Sequence, residues 1–179
     1  MIARINAKAD KALREAIDNV GHAEADQIEV PLTRLDETER AEAIGLAIMV
    51  AGYVIVDVSG TQWPDDANVR QFAGSLATGG RTVKRLQLDA GQIHAYLSRV
   101  ALGAEPVGDV IPDEPMFTRL PVIVAQRAIV SYSPEETGIW DYLDQIESAI
   151  EVAWALEASV LPAAVMRAYL PKPSPDEPR

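Results

Sequence analysis

The sequence predicts an all-α fold, a single bundle-like array of about six helices followed by a mobile Pro-rich C-terminal tail. Three observations carry that expectation. Apolar residues recur at spacings of three and four over most of the chain, which gathers them on one face of a helix. Carboxylate and hydroxyl side chains stand just ahead of those stretches, where they satisfy the free N–H groups of a first helical turn. The chain has 179 residues, 48% of them hydrophobic and 24% charged, the size and composition of one globular unit able to bury a core. The alternative is an α+β fold with short buried strands near 53–58 and 121–130, where β-branched residues cluster.

The first helix is expected over 2–20, where Ile2, Ile5, Ala9, Leu13, Ile17 and Val20 make a narrow apolar stripe and Gly21 supplies a stop. A polar connection leads to Pro31. Asp36 with Glu39 three residues on is a capping-box pattern, so a second helix starts at about residue 37, and Tyr53 to Val58 continues it. Trp63-Pro64-Asp65-Asp66 places Pro at a first helical position with acids in the first turn, opening a third helix that runs to about Thr78, before Gly79-Gly80. Asp89 and Gln92 repeat the capping pattern for a fourth helix, with Ile93, Leu97, Val100 and Ala101 facing the core and Leu102-Gly103 at its end.

Residues 103–118 hold Pro106, Pro112 and Pro115 without an apolar period and read as a long loop. Pro121 then opens a buried helix. Ser133-Pro134-Glu135-Glu136 is the strongest start signal in the chain, for a helix whose inner face is Ile139, Leu143, Ile146 and Ile150. Pro162 restarts a short terminal helix to Leu170, which closes a helical domain at 1–170. Residues 171–179 carry four prolines and form an extended tail.

With 16 Lys+Arg against 27 Asp+Glu the formal charge is −11, which argues against a general duplex-binding or membrane-binding surface. The absence of Cys excludes disulfides, thiolate nucleophiles and Cys-ligated metal, and no cofactor is expected. The longest uncharged apolar run, 43–56, has 14 residues, short of the roughly 20 that span a bilayer. The first twenty residues mix acids with bases, unlike a secretory leader, so a cytoplasmic location is expected. Twelve Arg against four Lys, with 27 Ala, is the bias of GC-rich bacterial coding.

Few groupings invite chemistry. His94 titrates near neutrality and has Asp89 five positions back, so it is a candidate base or ligand-binding group beside the 103–118 loop. Arg81, Lys84 and Arg85 form the tight basic cluster, which in so acidic a chain is expected to pair with the protein's own carboxylates. Gly74-Ser-Leu-Ala-Thr-Gly79-Gly80-Arg81-Thr82 has the glycines of a phosphate-cradling loop, but it follows a helical stretch where such a loop needs a strand, and its glycines read as a helix stop. Asp141, Asp144, Ser148 and Glu151 fall one turn apart, yet lack the His partners of a bundle metal site. The acids of 135–157 make a face suited to a basic partner.

The leading functional expectation is a non-catalytic, self-associating interaction or regulatory protein. Ile5, Leu13 and Ile17 are the candidates for a homodimer contact, because a narrow stripe on one helix must be covered by something. A small-molecule-binding protein or enzyme with an inter-helix pocket near His94 and the 103–118 loop is the second expectation. A nucleic-acid regulator or charge mimic is the third.

Overall fold

The computed structural model describes residues 4–22, 24–59, 64–78, 80–102 and 114–156. Among them the chain forms eight α-helices, α1 Ala7–Gly21, α2 Val30–Thr33, α3 Glu37–Val58, α4 Asp66–Thr78, α5 Arg81–Arg85, α6 Ala90–Leu102, α7 Glu114–Tyr132 and α8 Ile139–Leu156, with a 3₁₀ turn at Ala25–Gln27 and no strand. The fold is all-α, as the apolar spacing predicts. Its two additional helices, α2 and α5, are short turns in segments too brief to show a period of their own. The expected terminal helix to Leu170, the 171–179 tail and residues 103–113 lie outside the described residues.

The central helix, α3, starts as the sequence predicts. The Asp36 carboxylate accepts from the Glu39 N–H at 2.8 Å, and the Glu39 side chain reaches back to the Asp36 N–H. Leu46, Ala47, Val50, Ala51, Val54 and Ile55 are all buried, so the helical period runs unbroken through the segment considered as a strand. The β preference of Val and Ile is a fraction of a kcal/mol per residue, and burial outweighs it. By length and composition α3 could also cross a bilayer, but half of that apolar stretch is buried inside this fold, as in the core helix of a globular protein. The second proposed strand, 121–130, lies within α7.

Four helix starts differ from expectation, each for a local reason. Helix α1 begins at Ala7, where Asn6 caps it by accepting from the Lys8 N–H at 3.0 Å, so Ile5 precedes the helix. Helix α4 is capped by Asp65, whose carboxylate accepts from the Asn68 N–H at 2.8 Å, and Pro64 precedes that cap. Helix α7 begins at Glu114, seven positions before Pro121, with Pro115 in its first turn, where a missing N–H is harmless. Pro121 is instead inside the helix, which forgoes one rung of its ladder there. Ser133-Pro134-Glu135-Glu136 does not open α8. The Ser133 hydroxyl donates to the Thr137 carbonyl and the Thr137 N–H donates to the Pro134 carbonyl, both at 2.8 Å, closing a turn before the helix starts at Ile139.

The largest helix contacts are α3 with α7 and α4 with α6, while α1 packs on both α3 and α7. Helix α8 covers α3 and α7 from another side. Phe72 of α4 stacks on Tyr132 of α7 with ring centroids 4.8 Å apart, and Tyr132 also meets the Ser75 hydroxyl at 2.5 Å, which fixes α4 against α7. Leu13 and Ile17 are 0% and 1% exposed, inside the chain's own core. Of the residues proposed for a contact with a second copy, Leu13 and Ile17 are thus covered within the chain, whereas Ile5 is partly buried.

Candidate functional site

Helix α5 is held in place by bonds at both ends. The Thr82 hydroxyl, buried, donates to the Val20 carbonyl at 2.8 Å and pins α5 to the end of α1. Gln87, at φ 54, ends α5 with the N–H of Leu88 on the Val83 carbonyl and its own N–H on the Lys84 carbonyl. Gly80 precedes α5 at φ 87, which brings its backbone under the Arg127 side chain of α7: a Cβ at Gly80 would stand 3.2 Å from Arg127 Cδ. The chain can pass there because glycine has no side chain.

Between α5, α7 and the end of α1 lies a recess of about 350 Å³ lined by Arg81, Lys84, Gln126, Arg127, Val20 and Val130, with the backbone of Gly21 and Gly80. Three of its side chains are cationic, and none of the described lining residues is acidic. Arg81 and Lys84 form no ion pair with another described residue. Among the described residues the Arg127 guanidinium hydrogen-bonds the Ser131 hydroxyl alone, at a long 3.4 Å, and its Nε is buried without a hydrogen-bond partner there. Burial without a compensating carboxylate lowers the Arg127 pKa from its ordinary value, although a guanidinium stays charged at any working pH. Gln126 is 8% exposed, its side-chain amide is hydrogen-bonded to no other described residue, and its Nε2 lies 3.7 Å from where a Gly21 Cβ would stand. Donors without acceptors, gathered around an opening in a protein of charge −11, are an arrangement suited to an anion.

Of the predicted basic cluster, Arg85 behaves as expected and pairs with Asp26 at 3.1 Å. Arg81 and Lys84 face the recess instead. The residues that complete it, Gln126 and Arg127, lie more than forty positions away in sequence on α7. In the sequence they stand out as a polar pair interrupting an apolar helix, which was the available signal.

His94 is placed differently from expectation. Its carboxylate partner is Asp66 of α4, at 2.8 Å from Nε2, while Asp89 caps α6 by accepting from the Gln92 N–H at 2.8 Å. The Ser98 hydroxyl lies 3.2 Å from the same His94 Nε2. A relay that activates a serine needs the carboxylate on one ring nitrogen and the hydroxyl on the other. With both on Nε2 the trio is wired as an α4–α6 clasp. Arg70 first, and then His94, hold the Asp66 carboxyl below its ordinary range. The 103–113 part of the loop proposed beside His94 is outside the described residues.

The acidic stripe of α8 is partly engaged within the chain. Arg14 of α1 donates to Asp10 at 2.6 Å, Asp144 at 2.7 Å and Glu147 at 2.5 Å, and its guanidinium lies 6.0 Å from the centre of the Trp140 ring. Glu151 accepts from the Ile5 N–H at 2.9 Å. Burial, then the Asp10 carboxylate, push Glu147 up to about 7 against the pull of Arg14. Burial opposes the charge of Arg14 too, but its three carboxylate partners outweigh this and raise its pKa. No cluster of three or more potential metal ligands occurs among the described residues.

Comparison with models of known protein families, with curated protein sequences and with solved structures finds no match to this chain.

Proposed function

We propose that the chain is a non-catalytic binding protein of regulatory kind, acting in the cytoplasm, that recognises an anionic ligand in the recess between α1, α5 and α7. The observation that carries this reading is the charge of that recess, where Arg81, Lys84 and Arg127 converge with no acid among the described lining residues. Arg127 is half-buried with its Nε unpartnered, which disfavours the fold, and an anion held between it and the exposed Arg81 and Lys84 relieves that cost. The polar grouping that looks most like a catalytic one, His94 with Asp66 and Ser98, supports the same reading by its geometry, since carboxylate and hydroxyl share Nε2 instead of taking one ring nitrogen each. Duplex nucleic acid is a poor fit to the same residues, because a cavity of about 350 Å³ accepts a small molecule or a single group.

The test is thermal unfolding in sodium chloride, sulfate, phosphate and citrate at matched ionic strength. Multivalent anions are expected to raise the midpoint with a saturable concentration dependence, and Lys84→Gln, which alters an exposed side chain, is expected to weaken the effect. Equal midpoints in all four salts, or an identical response in the variant, would overturn the proposal.

A further inference from the structure

We infer that the ligand of this recess is a small organic phosphate monoester, bound through its phosphoryl group; this rests on the anion-binding reading above and specifies its ligand class. Charge is the first reason. A carboxylate is matched by one cationic fork, whereas three cations with no acid among them suit a group carrying close to two negative charges at neutral pH. Geometry is the second. Arg81 and Lys84 approach from α5, while Gln126 and Arg127 approach from α7. Donors on two walls suit the three oxygens of a tetrahedral phosphoryl group better than the two oxygens of a planar carboxylate.

The lining also limits the rest of the ligand. Val20 and Val130 are its apolar side chains, and among the described lining residues there is no aromatic on which a nucleobase would stack. A volume of about 350 Å³ is at the small end of ligand sites. A phosphorylated polyol or short acid fits that description, and a nucleotide does not. Gln126 has the position of a neutral reader: it is 92% buried by its 8% exposure, and its amide has no other described partner. The amide end opens on the recess, so a ligand oxygen that accepts from it adds to selectivity.

The experiment is calorimetric titration of the full chain with glycerol 3-phosphate, inorganic phosphate, glycerol and citrate, with Lys84→Gln and Arg127→Lys alongside. Glycerol 3-phosphate is expected to bind at one site at least tenfold more tightly than citrate, with inorganic phosphate weaker and glycerol silent. Arg127→Lys keeps the charge but loses the planar fork and is expected to weaken glycerol 3-phosphate at least tenfold; Lys84→Gln is expected to weaken it severalfold in a chain whose helical circular dichroism is unchanged. Citrate binding as tightly as the phosphate ester, lost in the same variants, overturns the phosphate assignment and leaves the anion site standing. Heat from none of the four overturns both.

Discussion

At the scale of single residues, two side chains put the packing to the test. Glu147 has 12% of its side chain exposed and titrates at about 7, against an ordinary value of 4.5, because burial and the neighbouring Asp10 disfavour its charge more than Arg14 favours it. An acid whose folded pKa lies above its unfolded one holds more protons when folded, so between those two values stability falls as pH rises. Urea midpoints of the parent are therefore expected to decline relative to those of Glu147→Gln between about pH 5 and pH 7. A parent that instead gains on the variant across that window would show that the Arg14 ion pair dominates. Gly80 is the second. At φ 87, with Arg127 Cδ 3.2 Å from a prospective Cβ, Gly80→Ala is expected to lose about 1–2 kcal/mol from left-handed strain and from crowding. Urea denaturation checks this, and a neutral result would mean the segment before α5 relaxes freely.

Helix ends were only partly legible at the scale of the element. Asp36 with Glu39 and Asp89 with Gln92 act where the sequence places them, since a capping box is closed by residues three apart and owes nothing to distant parts of the chain. Ser133-Pro134-Glu135-Glu136 has an equally good pattern and becomes a turn, because α7 runs to Tyr132 and the chain must reverse before α8 can pack on α3 and α7. Pro115 and Pro121 mislead in the opposite sense, the first opening a helix and the second lying within one. The end of α5 yields a prediction. Gln87 occupies the left-handed position of the cap at φ 54, a place where glycine carries no steric penalty. Gln87→Gly is expected to stabilise the protein by about 0.5–1 kcal/mol, read as a higher urea midpoint. A loss of stability would mean that the Gln87 side chain contributes packing that outweighs its backbone strain.

For the whole molecule, the decisive feature is that α1 is covered from within. Leu13 is 0% exposed between α3 and α7, so placing a carboxylate there introduces an uncompensated buried charge. The penalty of several kcal/mol is comparable to the roughly 5–15 kcal/mol that stabilises an ordinary domain. Leu13→Asp is expected to abolish the helical far-UV signal at 25 °C. A variant that keeps its helix content and only loses mass in light scattering would return the stripe to a contact between copies. Charge is also segregated at this scale: the recess holds Arg81, Lys84 and Arg127, whereas Asp10, Asp144, Glu147 and Glu151 gather along α1 and α8, the first three on Arg14. A net charge of −11 conceals that division.

The amino-acid order by itself determined the helical class, the main stretches of helix and the inward faces of α1, α3, α6 and α8, because each follows from spacing within a few turns. It also marked Arg81 and Lys84 as a basic cluster and His94 as a group in need of a partner. Only the tertiary structure decided what those groups meet. Asp66 reaches His94 from 28 positions away, and Gln126 and Arg127 reach the Arg81 and Lys84 recess from a helix that is contiguous with it only after folding. Local rules act over three to five residues, whereas a binding site is made by the packing of helices, whose partners are chosen by the whole apolar surface at once.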